Sequence, residues 1–168
     1  MLPPACLQLG ITPDLLAGRP LVLHEEAETL CCVFCADSGR EYLLTPEAAS
    51  AWHAMRDAAA GDGIALHIVS AHRSIARQAE LIQAKLDAGQ SLADILCLLA
   101  PPGFSEHHTG RAIDIGTPGC PPADETFADT PAFAWLQAHA GDFGFVLSYP
   151  RDNPQGFVYE PWHWCFHS

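Results

Sequence analysis

Short β-favouring runs stand towards both ends of this chain and runs of helical period fill the middle. That order excludes the strict strand–helix alternation of a doubly wound parallel sheet and fits an α+β domain. Thr29 to Ala36 and Glu41 to Leu44 flank the turn composition Asp37-Ser38-Gly39-Arg40 and predict a hairpin. Thr45-Pro46 then announces a helix whose apolar face, Ala48, Trp52, Met55 and Ala59, runs to Gly61 and Gly63. Ile64 to Ser70 reads as a strand and Ser74 to Ala88 as a helix. A shorter helix follows from Leu92, then a break at Pro101-Pro102-Gly103 and a short strand over Ala112 to Ile115. Thr130-Pro131 repeats the helix-start chemistry, with an end near Gly141. The C-terminal part predicts a strand over Phe145 to Ser148 and a last one over Trp162 to Phe166. Residues 1–28, rich in Pro and Gly, predict an irregular arm.

At 168 residues the chain suits one domain, and 49% hydrophobic residues provide for a core. Eight Lys and Arg against twenty Asp and Glu give a net charge of −12, which argues against nucleic acid and anionic lipid as partners. No apolar run approaches the length of a membrane span, and nothing reads as a signal peptide. Seven cysteines, an odd number with one adjacent pair, fit a reducing, cytoplasmic compartment; a trimmed envelope or periplasmic precursor is the alternative. Cys32-Val33-Phe34-Cys35 has the spacing of a metal or redox pair, but no second pair completes a site, so Cys31, Cys32 and Cys35 read as ordinary strand residues.

The chemistry concentrates in two segments, Ser105 to Asp114 and Glu160 to His163. A chain turning at Gly110 into a strand returns the Asp114 carboxylate towards His107, and His163 from the last strand adds a third donor. Two nitrogens and one oxygen suit Zn²⁺ with the fourth position left to water, the arrangement of catalytic rather than structural zinc. Glu160 lies three residues before His163 and would face the other way in a regular strand; Pro161, which donates no ladder bond, should interrupt the strand and free Glu160 to act as general base. Arg73, past the end of the Ile64 to Ser70 strand, is the available guanidinium for an oxyanion. His108 reads as a supporting imidazole rather than a ligand, and His72 as structural or substrate-facing. Tyr149 is a candidate hydroxyl donor to substrate.

These residues resemble the zinc D-alanyl-D-alanine carboxypeptidases of the VanY type, which share a fold with the hedgehog signalling domain. The pattern Ser-x-His-x-x-Gly-x-Ala-x-Asp is met by Ser105, His107, Gly110, Ala112 and Asp114; Glu-x-Trp-His by Glu160, Trp162 and His163; and Ser-x-x-Arg-Ser with a later Gln by Ser70, Arg73, Ser74 and Gln78. The resemblance implies a single zinc peptidase domain with its core over about 44–164 and a small, mostly antiparallel sheet flanked by helices. It implies one Zn²⁺ on His107, Asp114 and His163, Glu160 as base, and Arg73 steadying the oxyanion or the terminal carboxylate. Ser105 and Gln78 would contact substrate. The implied substrate is a peptidoglycan-derived peptide with a free C-terminal D-Ala. The chain departs from the family in carrying His72 where an aromatic often precedes the Arg, and in its cysteine-rich hairpin. Rival readings are an L,D-carboxypeptidase or endopeptidase on muropeptides, a zinc-bearing peptide-binding domain without turnover, and a structural zinc domain with four protein ligands.

Overall fold

A computed structural model describes residues 2–167. A four-stranded antiparallel sheet carries β3 (His67–Ser70), β4 (Ala112–Gly116), β5 (Phe145–Leu147) and β6 (His163–Phe166) in the order β3-β4-β6-β5. The hairpin β1 (Cys31–Cys35) and β2 (Glu41–Leu44) forms a separate two-stranded sheet, with a register shift between Cys32 and Phe34. Helices α1 (Pro4–Gln8), α2 (Pro46–Gly61), α3 (Ile75–Asp87), α4 (Leu92–Leu98) and α5 (Pro131–His139) surround them. Among the described residues no helix is long and apolar enough to cross a membrane.

Side chains set the helix starts. Thr45, Ser74, Ser91 and Thr130 each accept a hydrogen bond from a free amide of the first turn, and Pro46 and Pro131 need no such partner. Helix α2 buries Ala48, Trp52, Met55 and Ala59 against the sheet, with Ile113 and Ile115 of β4 and Phe133 and Leu136 of α5 in the same core. Burying a side chain such as Met55 contributes on the order of 2 kcal/mol. Trp135 and Phe145 belong to this core, and Phe143 packs against it. Trp135 Nε1 donates to Asp62 at 2.8 Å, so even its polar atom is satisfied.

Three expectations need correction. The Ile64 strand begins at His67, opposite the end of β4 at Gly116; before it the Ala65 carbonyl accepts from the Thr117 hydroxyl at 2.8 Å. The Thr130 helix ends at His139 and tightens into a 3-10 turn over Ala140–Phe143 before Gly144. The arm is more ordered than its Pro and Gly content implied. It contains α1 and a 3-10 turn at Pro13–Leu16, each opening on a proline, and Cys6 and Ile11 form a small second core with Leu96. A five-residue helix owes its form to that burial, since propensity alone does not sustain one.

The arm also braces the region that carries the candidate ligands. His24 donates its backbone N–H to the Gly103 carbonyl at 2.7 Å, and Ala27 donates to that of His108 at 2.9 Å.

Candidate metal centre and catalytic cleft

The central strand β4 is buried along its whole length and places Asp114 between Ser70 of β3 and His163 of β6, its partners in the two ladders. His107 arrives from a 3-10 turn, Glu106–Thr109, that ends on Gly110 in the left-handed conformation at φ 64°. A Cβ at Gly110 would stand 2.7 Å from Leu30 Cδ2, so close approach as well as backbone angle calls for glycine. The chain then enters β4, and His107 Nε2 comes to 3.4 Å from Asp114 Oδ2.

One donor atom from each of His107, Asp114 and His163 lies within 4.8 Å of the others, and all three residues are buried. Hydrogen bonds decide which atoms face the shared space. His107 Nδ1 lies 2.8 Å from the Ala71 carbonyl, which can only accept, so this nitrogen carries the proton and Nε2 is left as donor atom. His163 Nε2 lies 2.9 Å from Glu106 Oε2, while its Nδ1 faces Asp114 Oδ1 at 3.0 Å. Tetrahedral zinc with bonds of about 2.0–2.1 Å needs nitrogen and oxygen donors roughly 3.3 Å apart, and the two imidazole–carboxylate separations, 3.4 Å and 3.0 Å, are of that size.

Charge points the same way. Burial raises the Glu160 carboxyl to about 7, and the negative Asp114 and Glu106 add to this against His163 and Arg73. Burial alone would push His163 down, but hydrogen bonds to Asp114 and Glu106 outweigh it and raise it to about 10. Burial opposes ionisation of Asp114 too, yet the two imidazoles hold it well below the usual carboxylate range. Glu106, partly buried, is lowered to about 2 by His163 and Ser148, against the effect of burial. Three carboxyl groups around two imidazoles make a site that a divalent cation would balance.

A cleft of about 360 Å³ opens on this cluster, and Arg73, Gln78, Ser105, Tyr149 and Glu160 line it with the three candidate ligands. Arg73 is fixed on both sides: Nη1 donates to Gln78 Oε1 at 2.9 Å and Nη2 to Ser70 Oγ at 3.1 Å. Gln78, almost wholly buried, is itself tied by Nε2 to the Ala100 carbonyl at 2.7 Å. The Tyr149 ring lies 4.7 Å from that of His163, and burial first, then the nearby carboxylates, keeps its phenol protonated. Trp162 lines the cleft, whereas Trp164 turns into the core and donates Nε1 to the Pro161 carbonyl at 3.0 Å.

Backbone pairing is interrupted at Pro161 as expected: the Ser148 N–H reaches the His163 carbonyl at 3.5 Å and the Glu160 N–H the Tyr149 carbonyl at 3.0 Å, with Pro161 and Trp162 between them, and strand β6 proper begins at His163. Glu160 to His163 form a turn, closed by the His163 N–H donating to the Glu160 carbonyl at 3.1 Å. The turn places Glu160 Oε2 3.8 Å from His163 Nδ1.

His108 is fully buried and ligates nothing. Its Nδ1 donates to the Arg73 carbonyl at 2.6 Å and its Nε2 accepts from the Gly103 N–H at 3.1 Å, which holds the backbone of Arg73. His72 stays out of the cleft; its backbone N–H donates to Leu43 of the hairpin at 2.9 Å. Each cysteine is a free thiol, and Cys32 and Cys35 are exposed on β1.

Sequence reasoning missed Glu106 and Ser148. Ser148 donates to Glu106 Oε2 at 2.6 Å, and that oxygen also receives His163 Nε2–H. The carboxylate therefore fixes both the orientation and the tautomer of His163. An acid directly before a ligand histidine was the available signal, but it gains meaning only once the 3-10 turn carries Glu106 round to β6.

With this geometry in place, comparison with known proteins defines the class. The family model described as VanY, D-alanyl-D-alanine carboxypeptidase, matches residues 41–168. The chain belongs to this family. It is 36% identical over 124 residues to a putative carboxypeptidase, YodJ, of Bacillus subtilis, covering 71% of this chain and 45% of that protein. It is 31% identical over 158 residues to the bifunctional D-Ala-D-Ala dipeptidase and carboxypeptidase VanXYC of Enterococcus gallinarum, covering 89% of this chain and 79% of that one. The chain thus spans less than half of the Bacillus relative. Among solved structures, the LdcB LD-carboxypeptidase superposes with a TM-score of 0.73 at 32% identity, covering 85% of this chain and 70% of that one. VanYB in complex with D-alanine-D-alanine has the same fold, with a TM-score of 0.68 at 23% identity over 92% and 86% of the two chains.

Proposed function

We propose that this protein is a zinc-dependent carboxypeptidase that removes a C-terminal D-Ala from peptidoglycan stem peptides or related short peptides. The observation that carries the reading is the convergence, in one cleft, of a two-imidazole, one-carboxylate donor set with an adjacent, largely buried carboxyl and a fixed guanidinium. His107 Nε2, an Asp114 oxygen and His163 Nδ1 would hold the ion. Zinc in such a site supplies a Lewis acid and lowers the pKa of bound water to about 7.

The chain's own groups supply the rest. Glu160, in its ionised form, takes the proton of the attacking water and hands it to the departing amine nitrogen. Its carboxyl is suited to both steps, because burial brings its affinity for the proton close to neutrality. Arg73, braced by Gln78 and Ser70, holds the oxyanion or the terminal carboxylate of the substrate. Tyr149 and Ser105 offer hydroxyls from the cleft wall, and Tyr149 remains a donor because its phenol stays protonated.

Zinc-loaded protein incubated with a pentapeptide stem should release alanine, measured by coupled assay. Glu160→Gln should lower kcat by about 10²–10⁴-fold while one zinc per chain is retained. Unchanged turnover in that variant would refute the role given to Glu160.

An L,D-specificity has a specific support of its own, the likeness to the LdcB LD-carboxypeptidase. Product masses from pentapeptide and tetrapeptide stems separate the two. Loss of the terminal residue from the pentapeptide alone marks the D,D enzyme, and its loss from the tetrapeptide marks the L,D enzyme.

A further inference from the structure

A second hollow, of about 610 Å³, lies beside the cleft between the start of β2 and the first turn of α3, with Arg40, Tyr42, Ser70, His72, Arg73 and Arg77 in its walls. Three of the chain's eight Lys and Arg meet there, in a molecule whose net charge is −12. Converging guanidinium groups repel one another, and their mutual field is an asset only where an anion is to be held. The repulsion is felt at Arg73. Burial lowers its pKa, Arg40 and Arg77 add to that, and Asp114 and Glu160 work against it.

The local compensation is incomplete. Arg73 gives its two terminal nitrogens to the neutral oxygens of Gln78 and Ser70. Arg40 lies over the Tyr42 ring, 4.6 Å from its centroid, and among the described residues no carboxylate pairs with it. Arg77 holds Glu80 at 2.7 Å, but both side chains are more than half exposed, so solvent screens the pair. Glu41 is the one carboxylate in the wall of the hollow. The first amide of α3 is already taken, since Ile75 N–H donates to Glu26 Oε1 at 2.6 Å. The attraction for an anion therefore comes from the guanidinium groups and not from the helix end.

Arg73 lines both cavities, which sets the hollow next to the cleft.

We propose that the hollow is a carboxylate subsite for the peptide substrate. Arg40 and Arg77 receive an acidic group upstream of the scissile bond while the C-terminal end occupies the cleft. The assignment rests on the carboxypeptidase reading above, and the experiment separates the two.

Two stem peptides identical except for one upstream residue, a free carboxylate in one and its amide in the other, are compared on the zinc-loaded full chain. In the R40A/R77A double variant, KM for the carboxylate peptide should rise about 5- to 20-fold with kcat within about twofold. The amide twin should be unaffected, and the preference should shrink as salt is raised. Equal kinetics for the twins in the parent protein overturn the subsite and leave the peptidase reading standing. If neither peptide is cleaved, binding of N-acetylglutamate against N-acetylglutamine, followed by NMR on the same chain, still decides. A preference for the acid that R40A/R77A abolishes supports the subsite, and no preference overturns it. Inorganic phosphate is the control for a separate small anion. If it binds in the hollow and changes turnover of both twins alike, the hollow serves a free anion and the substrate assignment fails.

Discussion

The four-stranded sheet and the β1–β2 hairpin both contribute charged side chains beside one cleft, but they hold them in opposite ways. On the sheet Asp114 and His163, and on the 3-10 turn that leads into it His107, are buried, and each is tied to a named partner before any ligand arrives. On the hairpin, Arg40 is exposed and rests on a ring face alone. Buried polar groups must be satisfied, so the sheet's geometry is pre-organised and costly to disturb. Exposed guanidinium groups keep their freedom and cost little to change, which suits selection among substrates rather than chemistry.

That contrast breaks first, and with the largest effect, at Glu106. Replacing it by Ala removes the acceptor of His163 Nε2–H and should weaken zinc binding about 10- to 100-fold, measured by competition with a chelator. Gln keeps an acceptor there without the charge and should fall between the two. If E106A binds zinc as tightly as the parent, the pre-organisation argued for the sheet is wrong.

Gly110→Ala comes next. It forces a Cβ into the left-handed region and against Leu30, and should cost about 1–3 kcal/mol in thermal or denaturant unfolding. An alanine at the exposed turn glycine Gly39, which meets no neighbour within 4 Å, should cost less despite its similar φ.

A smaller effect is expected from pH. In the metal-free chain the His163 pKa is raised from 6.5 to about 10, so its contribution to stability is complete below pH 6.5 and is lost as pH rises through 10. Glu160, raised from 4.5 to about 7, favours the folded state only while protonated, so it too removes stability as pH climbs between those values. Glu106, lowered from 4.5 to about 2, acts at the other end: its contribution is present above 4.5 and is lost as pH falls to 2. A bound cation favours neutral His163 and ionised Glu160. The rise in Tm on adding zinc should therefore grow from about pH 5 to about pH 9, measured by scanning fluorimetry. A rise independent of pH would speak against histidine ligation.

How far the sequence carried depended on how local each constraint was. The helix starts at Thr45, Ser74, Ser91 and Thr130 were legible because capping acts within a single turn. The convergence of His107 and Asp114 was legible because Gly110 reverses the chain between them, and His163 followed once a third donor was needed. Glu106 was not, because its partners lie 42 and 57 residues away and spacing does not reveal them. The interruption at Pro161 was legible because proline donates no ladder bond, whereas the turn it takes was not, since a turn and a broken strand share the same proline signature. The cationic hollow needed the docking of β2 on the chain beyond β3, through the His72 to Leu43 hydrogen bond, which no local pattern encodes.

The central claim is that His107, Asp114 and His163 together bind one metal ion and leave a position for water. X-ray absorption on the zinc-loaded chain, with H163A alongside, tests it most directly. The account predicts one zinc per chain with two imidazole nitrogens and only oxygen besides, and loss of the ion in H163A. A sulfur ligand, four protein donors, or undiminished zinc in H163A would contradict it.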